Sequence, residues 1–293
     1  MRSLLEENSL VSSIHFHLAG RLGNQLFQYA FAHQLSLHFN KKIEFFVDKY
    51  HHDFQYEWGV SAHLHSCRHI LEIERSDIRG LFLKASDGLF SRNIPSFKLL
   101  NRVTNTMRTM SAFDYPKMPQ KAPTLVSGFY LNSESIEGSP QFFLELVDHL
   151  SENIDIGRFV ENRDYEIVHV RGGDFKHSIY GTLNHEYYQN IRKKEFPRYV
   201  ITDDTNYAGS VTDRLDIDGV FSPEDLNPWE AIALMQRSKK VYVSNSTLAW
   251  WGGYLCLKNG GIAILPKPFF HGNQLASDSL HVEGFQYQKA IFE

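Results

Sequence analysis

A chain of 293 residues with 42% hydrophobic content holds ample apolar material for one large core or two ordinary domains. A formal net charge of −4 with no basic tract excludes nucleic acid as an expected partner. Two cysteines, Cys67 and Cys256, far apart in sequence, exclude a disulfide scaffold or zinc knuckle and fit a reducing compartment.

The first residues, MRSLLEENSLVSS, carry Glu6 and Glu7 where a signal peptide needs an apolar stretch. No run approaches the length of a membrane span, so a soluble, cytoplasmic protein is expected. Ser13 to Leu18 alternates as a strand, AGRLGNQ turns, and Leu26 to Leu37 follows as an amphipathic helix. His15 and His17 lie on that strand; hydrogen-bonded or solvated histidines are expected there rather than metal ligands. In the turn, Gly20 and Gly23 bracket Arg21 and Leu22, while Asn24 and Gln25 open the helix. Backbone amides at a helix start beside an asparagine make a nest for an anion. The turn is not GxGxxG, since position 22 is leucine, and no Gly-Lys pair exists for a P-loop. The alternative is a tight strand-to-helix turn without a ligand.

Residues 75 to 125 have weaker periodicity and read as loops and short helices completing an N-terminal domain. The boundary falls within residues 140 to 162, giving domains 1–150 and 151–293. Beyond it, strand and helix alternate clearly. Tyr165 to Val170 reads as a strand and Glu186 to Glu195 as a helix. Tyr199 to Thr202 reads as a short strand closing on Asp203 and Asp204, which are expected as turn and capping residues, with ribose or acceptor contact as the alternative. Pro228 to Ser238 reads as a helix with Pro228 in its first turn and Asn227 as cap. Lys240 to Ser244 is a strand, Thr247 to Leu257 a helix, and Gly261 to Leu265 a last strand. Such repeated units imply an α/β fold with parallel, doubly wound sheets.

The segment YEIVHVRGGDF delivers His169 and Arg171 from an apolar strand into a glycine turn, at the sheet edge where open α/β folds bind ligands. Arg171 offers a planar fork of donors suited to phosphate. The alternative is an arginine paired with Asp174 in an ordinary turn. A third turn, Ser244, Asn245, Ser246 and Thr247, precedes a helix, where hydroxyls and amides meet a positive helix end. There the plainer reading is Ser246 as a simple cap. Trp250 and Trp251 are expected as packing anchors. Three strand-to-helix turns with phosphate-friendly groups would together hold a nucleotide diphosphate without a metal.

AGRLGNQLFQYA, HVRGGDF and SNSTLAWWGG, followed by ILPKPFF, closely resemble the signature segments of the α1,2-fucosyltransferases of bacteria and animals, glycosyltransferase family 11. The resemblance runs from about residue 14 to about residue 270. It implies a GT-B-like fold, two Rossmann-like domains facing a cleft, with the acceptor on the N-terminal side and the donor on the C-terminal side. It further implies GDP-fucose as donor, inversion at the anomeric carbon, no metal, no other cofactor, and a galactose-terminated oligosaccharide as acceptor in α1,2 linkage. A fucosyltransferase of another linkage, or a noncatalytic sugar-nucleotide or glycan-binding module, are the alternatives. Carried over by position, Arg171 contacts the donor's β-phosphate, His169 lies near the nucleoside, and Ser246 and Thr247, beside Asn245, bind the diphosphate. Asn24, with Gly20 and Gly23, faces donor and acceptor, and Glu230 reads the guanine edge. Asp174 is a candidate base, although pairing with Arg171 competes with that role. The chain departs from the motif at Gly172, where the family carries a second arginine, and at Tyr254, where tryptophan is common. Lys176 or Arg21 are the candidates to replace the lost cation. His51, His52, Tyr56 and Trp58 are candidates for acceptor stacking. The implied setting is the cytoplasmic side of an inner membrane, with peripheral association open.

Overall fold

The computed structural model describes residues 13–47, 70–75, 106–108, 118–161, 164–191, 193–272 and 278–293. His51, His52, Tyr56 and Trp58 lie outside the described residues. Two sheets organise the chain. The first is five-stranded, from β1 (Ile14–His17), β2 (Ile43–Val47), β3 (Ile70–Arg75), β4 (Thr106–Arg108) and β5 (Leu125–Ser127), in the order β3-β2-β1-β5-β4. The second is six-stranded, from β6 (Glu166–Val170), β7 (Arg198–Thr202), β8 (Gly219–Phe221), β9 (Lys240–Tyr242), β10 (Ile262–Lys267) and β11 (Gln286–Lys289), in the order β11-β10-β9-β6-β7-β8. Every pairing within both sheets is parallel. This is the α/β, GT-B-like arrangement of two Rossmann-like sheets expected above. Strand order reverses direction beside β1 in one sheet and beside β6 in the other. Those two points are where such folds leave a crevice at the strands' carboxyl ends.

The strands form where apolar runs permit burial on both faces. All five residues of β6, EIVHV, are buried, as a central parallel strand requires. His15 of β1 pairs in register with Glu44 of β2, and their side chains meet at 2.9 Å. His17 lies 3.5 Å from Ser127 and tilts onto Phe46. The histidines of β1 thus hold sheet neighbours, and among the described residues no three His, Cys, Asp or Glu side chains converge as a metal site.

Helix α1 (Leu22–Phe39) starts four residues earlier than its apolar stripe suggests and is buried on most of its circumference. It is therefore a core helix rather than an amphipathic one. Its end is set by Asn40 in the left-handed conformation, whose N–H donates to Ser36. Residues 75–125, expected as loops and short helices, contribute the strand β4, which forms by pairing with β5. After β5 come a single turn, α2 (Glu134–Glu137), and a 14-residue helix, α3 (Pro140–Asn153). The second lobe adds a 3-10 turn (Gly173–His177), α4 (His185–Gln189), α5 (Thr205–Val211), α6 (Pro228–Arg237) and α7 (Thr247–Lys258). Helix α4 ends at Gln189 rather than near Glu195; Asn190 closes it, and Lys194 beyond it pairs with Asp216 and Asp218.

The core is continuous through both lobes. Phe27 of α1 packs on Trp250 and Trp251 of α7 at 4.9 and 5.0 Å, and both indoles are fully buried. Tyr254, where the sequence pattern commonly has tryptophan, is buried and stacks on Trp250 at 5.2 Å. Gly23 carries the closest approach: a Cβ there would meet the backbone nitrogen of Leu248 at 2.4 Å. Glycine lets the first turns of α1 and α7 touch, and the Trp251 indole N–H donates to the Gly23 carbonyl at 3.1 Å. No helix among the described residues is long and apolar enough to cross a membrane.

Candidate active site

A cleft of about 430 Å³ opens where the two crevices face each other. From the first lobe it is lined by Gly20 to Asn24, Phe129 and Leu131; from the second, by His169, Arg171, Asp174 and Ser246 to Leu248. Its far wall toward α6 includes Thr202, Asp203, Ser222 and Asn227, and its opposite wall includes Phe175, Tyr180 and Phe270.

Arg171 stands at the centre. β6 ends at Val170, so the next side chain leaves the sheet at its carboxyl edge. Its guanidinium is 2.5 Å from Asp174 and 2.8 Å from Asp203, and it lies over the Phe175 ring at 4.8 Å. The pairing with Asp174 foreseen as the plain alternative is present, yet it does not withdraw the arginine from the cleft. Asp174 is 55% exposed and displaceable, while Asp203 is held. Asp203 accepts the Gly172 N–H at 2.9 Å with one oxygen and Arg171 with the other. Expected as a turn residue, Asp203 is the carboxylate that aims the guanidinium. Asp204 is the cap that was expected, accepting from Tyr207 N–H at 2.9 Å. Lys176, 2.6 Å away, holds its carboxyl below the usual range.

Gly172 leaves no room for a side chain in this arrangement. A Cβ would lie 2.8 Å from the Asp204 Cβ and 3.0 Å from the Tyr207 ring. A second arginine at that position is thus incompatible with how the loop packs on α5. Of the two candidate replacements, Lys176 is committed to Asp204 and the Tyr207 ring and does not line the cleft. Arg21 does line it, is about half exposed, and approaches Asp174 to 3.8 Å. Two guanidinia from opposite lobes therefore share one exposed carboxylate, at the place where an incoming anion would be held.

Both helices that begin there lack a side-chain cap. Arg21 and Ser246 occupy the cap positions of α1 and α7, and neither side chain accepts a capping hydrogen bond. Apart from the Asn24 N–H, which donates to the Arg21 carbonyl at 2.9 Å, their first-turn N–H groups stand at the positive ends of the two helices without a side-chain cap. Of the two readings of Ser246, the simple cap is not the one found: its side chain makes no capping bond and lines the cleft. Thr247 donates to the Asn24 side-chain oxygen at 2.9 Å across the lobes. The glutamines of AGRLGNQLFQYA shape the turn. Gln25 donates to the Gly20 carbonyl, and Gln28 bridges Ala19 N–H and the Gly128 carbonyl. Gly20 itself is in the left-handed region, with φ of 76°.

His169 is buried at the cleft floor, with Nδ1 2.8 Å from the Ser244 hydroxyl. Burial, with Arg171 nearby, pulls its pKa down to about 3, so the ring is neutral near pH 7.

Two expected ligand residues are placed otherwise. Glu230 does not line the cleft. One of its oxygens accepts from Asn227 N–H at 2.8 Å, completing a capping box, and the other is paired with Arg158. A carboxylate used twice for structure is not offered to a guanine edge. Asn245 is fully buried; its amide donates to the carbonyls of Tyr180 and Gly181, tying the 175–185 loop to α7 rather than contacting a diphosphate.

With this geometry in view, the chain is similar to the alpha-1,2-colitosyltransferase of Escherichia coli, 23% identical over 295 aligned residues. That match covers 91% of this chain and 96% of the relative. The likeness relates the chain to glycosyltransferases. No protein-family model matches it. Among solved structures, a family 9 glycosyl transferase from Veillonella parvula aligns with TM-score 0.45 and 11% identity, over 87% of this chain and 80% of its own. The fucosyltransferase NodZ from Bradyrhizobium aligns with TM-score 0.43 and 14% identity, over 83% and 93%. ADP-heptose LPS heptosyltransferase II of E. coli aligns with TM-score 0.43 and 12% identity, over 94% and 92%.

Proposed function

We propose that this protein is an inverting glycosyltransferase that moves L-fucose from GDP-fucose to a terminal galactose of an oligosaccharide in α1,2 linkage, without a metal. The observation that carries the reading is the placement of Arg171, at the switch point of the donor-side sheet, beside the uncapped start of α7 and facing Arg21 from the other lobe. The sequence likeness to a colitosyltransferase supports the class of reaction and the α1,2 linkage. Residues 151–293 would hold the donor and residues 1–150 the acceptor, on the cytoplasmic side of an inner membrane.

The chemistry follows from charge. Cleaving the glycosyl–phosphate bond leaves negative charge on the departing diphosphate and positive charge on the sugar ring. Arg171, with Ser246, Thr247 and the α7 amides, meets that anion with groups already oriented, where electrostatic stabilisation acts most strongly. Arg21 supplies the second cation that Gly172 forgoes. Neutral His169 forms the floor without adding charge. The donor phosphate displaces Asp174 from Arg171. Because an inverting transfer brings the hydroxyl to the face opposite the diphosphate, the freed carboxylate takes its proton only from a position clear of the phosphate. Asn24, fixed by Thr247, orients acceptor and donor where the lobes meet. A second reading, colitose as the transferred sugar, is favoured by the relative's activity. Fucose and colitose differ by one ring hydroxyl and share a methyl in place of the 6-hydroxymethyl group.

The test is release of GDP from GDP-fucose with lactose or N-acetyllactosamine as acceptor, in the presence of chelator, for wild type and Arg171→Ala. Acceptor-dependent turnover that survives chelation and collapses in the variant is expected, and NMR of the product fixes the linkage. A protein that does not bind GDP would overturn the proposal.

A further inference from the structure

The cleft has one markedly apolar wall, built from the aromatic residues that end HVRGGDF and ILPKPFF together with Tyr180, to which no ligand role has yet been given. Phe175, Tyr180 and Phe270 form a triangle of rings with centroids 5.4, 4.9 and 6.3 Å apart. All three line the cleft. Phe175 and Tyr180 come from the loop after β6, and Phe270 from the segment after β10. Asn245 ties the loop down through the carbonyls of Tyr180 and Gly181, so the rings are held in place. Tyr180 remains 39% exposed, which leaves a face for a ligand.

The order of groups along the sheet edge says what meets this wall. Toward α6 lie Thr202 and Ser222, hydroxyl groups suited to a base and ribose. At the centre is Arg171, for the diphosphate. On the other side are the three rings, with Phe175 directly beneath the guanidinium at 4.8 Å. The donor sugar is joined to its phosphate through one oxygen. A sugar whose phosphate sits on Arg171 therefore lies within one ring's reach of Phe175.

We infer that Phe175, Tyr180 and Phe270 form the donor-sugar subsite and select a deoxyhexose by its apolar C5–C6 end. This rests on the diphosphate reading above. A methyl group against the rings gains from leaving water. A hydroxymethyl group in the same place would bury a hydroxyl without a partner, which is costly. The wall thus rejects ordinary hexoses and accepts both fucose and colitose, which share that methyl.

GDP-L-fucose and GDP-L-galactose differ only in the 6-hydroxyl and make a clean pair of probes. Calorimetric titration of the intact protein should show GDP-L-fucose binding about tenfold more tightly than GDP-L-galactose. In Tyr180→Ala, a change at a partly exposed residue, that ratio should fall below about threefold while the affinity for GDP stays as in wild type. Phe270→Leu should reduce the ratio in the same way, with unchanged unfolding cooperativity showing that the variant is folded. Equal binding of the two donors by wild type would overturn the inference. So would a Tyr180→Ala variant that keeps donor discrimination but raises the KM for acceptor, since the rings would then be an acceptor platform. Loss of GDP binding in wild type fails the diphosphate reading itself, which separates the two failures.

Discussion

Helices α6 and α7 open on the same cleft and use their first turns in opposite ways. At α6, Asn227 accepts from Trp229 and Glu230 N–H, Pro228 removes one donor, and Glu230 reaches back to Asn227 while pairing with Arg158. All local polar capacity goes into holding the helix. At α7, Ser246 sits at the cap position without capping, and Thr247 turns to Asn24 of the other lobe. The difference separates a wall from a binding site, since donors left open at a helix end can meet an anion. By residue type alone the two starts are hard to rank; a carboxylate at α6 looks at least as chemical as a serine at α7.

Substitutions test that contrast. The largest effect is expected at Arg171, whose guanidinium is the cation beside the open α7 start. Arg171→Ala should lower kcat/KM for donor turnover by roughly a hundredfold to a thousandfold, in the range seen when one oriented charge-stabilising donor is removed. Arg171→Lys should recover only part of this, because a point charge cannot span Asp203 and a phosphate as a fork does.

Acid should expose His169 next. Its folded pKa is depressed, so its contribution to stability is full above the unfolded value of about 6.5. That contribution is lost as pH falls toward about 3. The slope is on the order of 1.4 kcal/mol per pH unit. Thermal unfolding at pH 7 and pH 4.5 should show a steeper loss for wild type than for His169→Gln; equal losses would mean that burial of this ring does not govern its protonation.

Thr247→Val removes the hydroxyl that joins α7 to Asn24 and should cost about tenfold in kcat/KM, with the larger share in kcat if the pair orients acceptor and donor. The smallest effect on function belongs to α6. Glu230→Ala should lower stability by about 1 kcal/mol, the usual worth of a helix cap, and leave the Kd for GDP within about twofold. A large loss of GDP affinity in that variant would erase the contrast and return Glu230 to the binding site.

The strands and helices that the sequence announced are those whose burial is local in origin. β6, β9, β10, α6 and α7 appear within a few residues of their expected bounds, because a central parallel strand is a continuous apolar run and α6 shows Asn-Pro at its start. Several elements carry no expectation in the sequence: β2, β4, β5, α2 and α3 in the first half of the chain, and α5 (TNYAGSV), β8 (GVF) and β11 (QYQK) in the second, of which the last three are short and show little periodic apolar signal. α5 forms because Asp204 caps it, and β8 and β11 form because a neighbouring strand edge is there to pair with. Helix α1 misled in another way: its glutamines and glycines look like a polar turn, yet they are buried where two lobes press together.

The sequence by itself determined the alternation of strand and helix, the parallel sheets, and an arginine at the exit of a buried strand. Each follows from nearest-neighbour chemistry: the period of the apolar residues and the turn residues that end each run. Tertiary structure alone decided which groups converge. It brought Asp203 to Arg171, Arg21 to Asp174 and Thr247 to Asn24, and it withdrew Glu230 and Asn245 into structural bonds. Convergence depends on β9 lying beside β6 and β5 beside β1, pairings between distant segments that no local pattern encodes.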